Sequence, residues 1–336
     1  MSQTEFQIIQ QHFADSEAAF SRPEIVRGIG DDAATLRIAP DQILSFSMDV
    51  LVADVHFPAT ADPELIANRA LAVNLSDLAA VGAEPLCFTL GLTLPLVNEH
   101  WLAAFSQGLV PLARQYNCPL VGGDLSRGPL NIAIQVQGQG EAVIGRDGAR
   151  DGDLIYVSAC LGDSVLALAS FGLDTHLGTD FKIDSATLSD QDRAYLNEAY
   201  YRPQPRIEFG RQLLNVASAA IDISDGLLGD LGHICNASAV GADLDLTALP
   251  LSDCLASHLP EALQQQAALL GGDDYELCVT VAPENAKQLE AIAGGLGLQL
   301  SRIGTIRDGY GINCRDSKGQ LQEFDASAYQ HFGESE

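Results

Sequence analysis

Apolar and polar positions recur along the chain with periods that name most of its elements. Ile43 to Val52 reads as a strand in which Asp49 stands among apolar neighbours. Asp62-Pro63-Glu64 supplies a helix start: a capping carboxylate, a proline at the first helical position and an acid in the first turn. The helix is predicted to run to about Val81, where Gly82 ends it and Pro85 prevents its return. Over 86–94 the period is two, with Phe88, Leu90, Leu92 and Leu94 on one face. Asn98 caps a second helix, with a kink expected at Pro111. Residues 119–123 form a short strand ending in Gly122-Gly123-Asp124, and 130–136 alternates again with Asn131, Ala133 and Gln135 on the other side.

A seam dense in glycine and charge, 145–153, interrupts this pattern. It divides the chain into an expected domain 1–145 and a second domain 146–336. The second domain repeats the mixed pattern, with strands at 154–158, 219–224, 275–281 and 298–305. Its helices are expected at 164–170, 191–201, after Arg206, from Gly226 to about Ala237, and at 284–293. A terminal hairpin turns at 316–319. Both halves are α+β or mixed α/β.

Charge narrows the functions open to such a chain. Its 336 residues carry 18 Lys and Arg against 45 Asp and Glu, a net charge of −27, so it would be repelled by nucleic acid and by anionic lipid. No apolar run reaches the roughly 18 residues of a membrane span. The opening Met1–Glu5 has neither the basic start nor the apolar block of a signal peptide. A soluble, cytoplasmic protein is expected. The 7 cysteines are scattered and never in C-x-x-C spacing; they are expected to be small buried hydrophobes.

The candidate chemistry lies in the aspartates. Asp31 follows Gly28-Ile29-Gly30, Asp49 lies in an apolar strand, and Asp77 interrupts an Ala/Leu-rich helix together with Asn74 and Ser76. Asp124 follows two glycines, and Asp222 and Asp225 sit in Ile221-Asp222-Ile223-Ser224-Asp225-Gly226. These positions predict burial, and buried carboxylates need cations or donors. Protein cations are scarce, with Lys182, Lys287 and Lys318 the only lysines. Divalent metal is the natural partner, and oxygen-only ligation points to magnesium and, through it, to phosphate. Asp32, Asp62 and Asp153 read instead as caps or turn formers. No lysine follows a glycine, so there is no phosphate loop of the G-x-x-x-x-G-K kind, and no G-x-G-x-x-G follows a strand.

In order along the chain, Gly28–Ala34, Asp49-Val50-Leu51-Val52, Asn74-Leu75-Ser76-Asp77-Leu78, Gly122-Gly123-Asp124 and Arg146-Asp147-Gly148-Ala149 precede Arg202-Pro203-Gln204-Pro205-Arg206. Ile221–Leu227 and Gly271-Gly272-Asp273-Asp274-Tyr275-Glu276-Leu277 follow. This set resembles the thiamine-monophosphate kinases of the aminoimidazole-ribonucleotide-synthetase-like superfamily. The resemblance implies two α/β domains, a homodimer joined through the N-terminal sheets, and ATP-dependent phosphorylation of thiamine monophosphate to thiamine diphosphate. By motif it implies magnesium at Asp31, Asp49, Asp77, Asp124, Asp222 and Asp225, with Ser47 and Met48 as neighbouring ligands. It implies ATP contacts at Tyr116, Gly123, Asp124, Arg146 and Ser224, and substrate contacts at His56, Asp273 and Tyr329. Met48 stands where the family commonly has threonine, which leaves only its backbone carbonyl to a hard cation. Asp273 stands where the family has glutamate. The acceptor phosphate is already anionic at neutral pH, so no general base is expected. The competing readings are another ATP-dependent enzyme of the superfamily, such as aminoimidazole ribonucleotide synthetase, and a non-catalytic binder of cations or nucleotides.

Overall fold

The computed structural model describes residues 4–175, 177, 181, 183 and 187–324. They form two compact units, one from residues 4–78 with 83–142 and the other from 79–82 with the described residues of 143–324. Among the described residues no helix is long and apolar enough to cross a membrane.

The first unit opens with α1 (Glu5–Ile9), closed by a Thr4/Gln7 capping box, and a π turn over Gln10–Ala14. A small ladder of β1 (Ile25–Arg27) and β2 (Thr35–Leu36) covers Leu86, Cys87 and Val121. Then follow β3 (Ile43–Val52), α2 (Pro63–Ala80), β4 (Glu84–Leu94), α3 (Glu99–Gln115), β5 (Leu120–Arg127) and β6 (Asn131–Gly140). The sheet order is β3-β6-β4-β5, with only the β4–β5 pair parallel. The predicted alternation holds: Phe88, Leu90, Leu92, Ile132, Ile134 and Val136 are buried. Asn98 caps α3 by accepting from His100 and Trp101, and the helix runs uninterrupted through Pro111. Gly108 gives α3 its approach to α2, since a Cβ there would lie 2.2 Å from the Glu64 carbonyl oxygen.

The strand expected over 119–123 continues to Arg127, so the two glycines lie inside β5 rather than at its end. Pairing with β4 carries the strand onward, setting Leu90 opposite Gly123 and Gly91 opposite Asp124. A Cβ on Gly123, at φ +154°, would lie 1.9 Å from the Leu90 carbonyl oxygen. Glycine is required there by the closeness of the two backbones.

The second unit contains β7 (Leu154–Ser158), α4 (Asp163–Phe171), α5 (Asp190–Tyr201), α6 (Ile207–Gln212), β8 (Ala219–Asp222) and α7 (Leu227–Ser238). It continues with β9 (Gly241–Asp245), α8 (Asp253–His258), α9 (Glu261–Leu270), β10 (Leu277–Val281) and α10 (Ala286–Gly295). β11 (Leu300–Arg307), β12 (Ile312–Arg315) and β13 (Leu321–Gln322) complete it. Seven strands run in the order β13-β12-β9-β11-β7-β10-β8. Every residue of β8 and β10 is buried, as expected of strands covered on both faces. The core gathers Ile155, Val157, Ile221, Leu231, Cys278 and Ile303. β10 begins at Leu277 rather than Tyr275, because Asp273 (φ +68°) and Tyr275 (φ +51°) hold left-handed backbone before it. Five of the cysteines are buried as expected, but Cys160 and Cys254 are only half-buried.

Candidate functional site

In the first unit, α2 turns polar side chains toward β3. The Asp49 amide donates to Asn74 Oδ1 at 3.0 Å, and Ser47 Oγ donates to Asp77 Oδ2 at 2.6 Å. Ser47 and Asp49 share a face because they are two residues apart on a strand. Met48, between them, is 55% exposed on the opposite face, so its thioether stands away from these groups. The donors are carboxylate and hydroxyl oxygens with no thiolate or imidazole among them, a set that suits magnesium.

A cavity of about 620 Å³ in the same unit is lined by Gly28, Gly30, Asp31, Gly123, Asp124 and the α1 residue Phe6. Asp31 pairs with Arg27 and accepts from the Asp32 amide, and the Arg27 guanidinium holds its carboxyl below the usual range. Asp124 accepts from Ser126 Oγ at 3.0 Å. Burial was expected of these aspartates, yet Asp31 and Asp124 are exposed and Asp49 and Asp77 half-buried. A carboxylate on a cavity wall stays hydrated and needs no buried counter-charge. His56 accepts from the Val52 amide at Nδ1, 3.0 Å away, which puts its own proton on Nε2. Tyr116 is the C-cap of α3 and is half-buried.

In the second unit, Asp222 ends β8 and is buried, and Ser224 and Asp225 lie in the turn entering α7. Sequence reasoning missed Asp230 in the first turn of α7. Its Oδ2 accepts both the Ser224 amide at 3.0 Å and the Asp225 amide at 3.1 Å, fixing that turn. Burial pushes its carboxyl up to about 7, against the pull of the Asp225 amide. The readable signal is a carboxylate in the first turn of a helix entered through glycine.

The loop before β10 is pressed onto this turn. The Asp273 amide donates to the Ser224 carbonyl and the Tyr275 amide to that of Ile223, both at 2.8 Å. A Cβ on Gly272 would lie 2.2 Å from the Ser224 oxygen. Tyr275 donates its hydroxyl to Asp273 Oδ1 at 3.1 Å, and Ser164 Oγ donates to the Asp273 carbonyl at 2.7 Å. Behind them Arg206 clamps the buried Glu276, and both Asp274 oxygens accept from the Gly162 amide. Asp222, Ser224, Asp225 and Asp273 are therefore gathered by one pair of loops. Arg146 is exposed on the seam, where its carbonyl accepts from Ser238 Oγ. Tyr329 lies outside the described residues.

Family comparison agrees with these motifs. The pattern of the AIR synthase related protein N-terminal domain matches residues 30–142, and that of the C-terminal domain matches 150–316. The thiamine-monophosphate kinase of Salmonella typhimurium is 44% identical over 98% of each chain. The crystal structure of the thiamine-monophosphate kinase of Stenotrophomonas maltophilia K279a superposes with a TM-score of 0.82 at 40% identity, covering 96% of this chain and 99% of that one. For AaThiL complexed with AMPPCP and TMP the TM-score is 0.74 at 29% identity, with 90% and 92% covered. The ordered motifs, the two-domain match and the full-length identity lead to one conclusion: this chain belongs to the thiamine-monophosphate kinases of the AIR synthase related family.

Proposed function

We propose that the protein transfers the γ-phosphoryl group of ATP to thiamine monophosphate, giving thiamine diphosphate and ADP, as a cytoplasmic homodimer. The observation that carries this reading is the kinase likeness along nearly the whole chain. A relative held with both AMPPCP and TMP supports the pairing of nucleotide and substrate. Asp31, Asp49, Asp77, Asp124, Asp222 and Asp225 would hold magnesium, together with Ser47 and the Met48 carbonyl. Bound magnesium would supply charge neutralisation between two polyanions.

The residues of the chain prepare for that chemistry. The Ser47 hydroxyl donates to Asp77, which fixes the direction of that carboxylate. Asn74 pins the backbone of β3 at Asp49. Gly123 and Asp124, with Tyr116, Arg146 and Ser224, are assigned to ATP; His56, Asp273 and Tyr329 are assigned to the substrate. With its proton on Nε2, His56 offers a hydrogen-bond donor to a phosphate oxygen. The acceptor phosphate has a second pKa of about 6, so it attacks as an anion and no side chain has to remove a proton. Transfer is direct, with no phosphoenzyme.

Residues 1–145 are assigned to ATP and magnesium binding and to dimerisation, and 146–336 to completing nucleotide and substrate recognition. A coupled assay with ATP, magnesium and thiamine monophosphate tests the reading, with free thiamine and aminoimidazole precursors as controls. Turnover on thiamine monophosphate alone is expected. Turnover only on an aminoimidazole precursor, or ATP binding without turnover on any acceptor, would refute it.

A further inference from the structure

A second group of ligating side chains lies in the second unit and takes no part in the proposed phosphoryl transfer. Cys254 and His258 are four residues apart on α8, so both project from one side of that short helix. Asp192, in the first turn of α5, meets them. One ligand atom from each of the three lies within 4.8 Å of the others. His258 Nε2 is 3.1 Å from Asp192 Oδ2, and Cys254 Sγ lies within 4.8 Å of both. Asp192 is held in place beforehand, because it closes a capping box with Ser189, whose hydroxyl donates to it at 2.7 Å. Asp192 and Cys254 both line a cleft of about 530 Å³, together with Cys160, Tyr195, Ser252 and Gln299. The cleft gives a cation a path in and leaves room for a water as a further ligand.

We propose that Asp192, Cys254 and His258 form a binding site for a borderline-soft divalent cation of the zinc class, which ties α5 to α8. The donor set decides the class of metal. Sulfur and imidazole nitrogen beside one carboxylate suit zinc and disfavour magnesium, the reverse of the oxygen set at Ser47, Asp49 and Asp77. The charges also balance. On binding, the Cys254 thiol gives its proton to solvent, His258 binds as the neutral ring, and Asp192 is already an anion. Two negative ligands then meet a doubly positive ion. Three protein ligands and one water complete a tetrahedron.

Cobalt(II) is the probe, because thiolate ligation gives it a charge-transfer band and tetrahedral geometry gives it intense visible bands. The purified full-length chain, stripped with a chelator, is expected to bind one cobalt per chain with both signatures. Zinc should bleach them, and excess magnesium should not. Cys254→Ser should abolish the charge-transfer band. His258→Gln and Asp192→Asn should each weaken cobalt binding by about 10- to 100-fold. Cys160→Ser, changed in the same cleft, should keep the full spectrum. Circular dichroism of the metal-free variants checks that each is folded, and zinc should raise the Tm of the parent more than that of any of the three variants. A featureless cobalt spectrum in the parent would overturn the proposal. So would a band that survives Cys254→Ser in a folded chain, or one lost in Cys160→Ser. None of these readings depends on turnover, so the site and the proposed kinase activity stand or fall separately.

Discussion

At the residue scale, the contact between Ser47 and Asp77 makes the magnesium assignment testable in two steps. Asp77→Asn keeps the shape and one acceptor but removes the anion. Its kcat should fall by about 100-fold or more, the scale of several kcal/mol of charge stabilisation. Ser47→Ala leaves the anion and removes the hydroxyl that donates to Asp77 at 2.6 Å and is itself assigned to magnesium. A loss of about tenfold, with a higher magnesium concentration for half-maximal rate, is the expected result for one hydrogen bond to a charged group. Steady-state rates across a magnesium titration separate the two. Equal effects would mean that Asp77 serves the fold alone.

Asp163 gives a stability prediction at the same scale. It is buried at the start of α4, accepting from Tyr195 and Ser252 hydroxyls, and burial raises its pKa above the ordinary 3.8. The folded chain therefore keeps a proton that the unfolded chain releases, so unfolding free energy falls as pH climbs from about 4 through the folded pKa and levels off above it. Asp163→Asn removes that titration. Denaturant unfolding measured at several pH values should show a shallower fall for the variant; identical slopes would show that the carboxyl ionises freely in the fold.

At the scale of elements, two glycines of opposite standing mark where geometry is tight. Gly123→Ala would drive a methyl into the Leu90 carbonyl oxygen and force φ +154° on an L-residue, disturbing the β4–β5 pair that carries Asp124. A loss of about 3 kcal/mol is expected. A methyl added at Gly232 in α7 would meet nothing within 4 Å, so Gly232→Ala should gain up to about 1 kcal/mol from helix propensity. Chemical denaturation of both variants reads the contrast.

The same elements show what the sequence made legible. Residues in β3, α2 and β4 carry enough periodic positions, with a proline start and a glycine stop, for their own chemistry to define them. β9 is different: five residues with aspartates at Asp243 and Asp245 form a strand because β11 and β12 flank them. α8 is too short to show a period. The metal-candidate aspartates were legible from their motifs, whereas their exposure depends on the cavity around Asp31 and Asp124. The meeting of Asp192 with Cys254 and His258 arises from folding distant segments together, which no local pattern encodes, whereas Asp230 reaches back only to Ser224 and Asp225 and carried a local signal.

At the scale of the whole molecule, the proposed homodimer can be tested on the outer face of β3. Leu44, Phe46, Met48 and Val50 alternate along the edge of the four-stranded sheet and are exposed, Phe46 by 60%. In register beside them on β6 stand Gln139, Gln137, Gln135 and Ala133. An apolar stripe on an edge strand invites pairing with other chains unless a partner covers it. The net charge of −27 opposes the approach of two copies, so in the proposed dimer the attraction would come from burying this stripe. Salt therefore works in a telling direction: it screens the repulsion between the copies and leaves the apolar contact, so it should tighten the dimer. Phe46→Asp adds a charge at the centre of the stripe without touching the buried face of the sheet. Analytical ultracentrifugation should find the parent dimeric, increasingly so from low to moderate salt, and the variant monomeric with its far-UV spectrum unchanged. A dimer that persists in Phe46→Asp, or one that salt dissociates, would place the interface on another, charged surface.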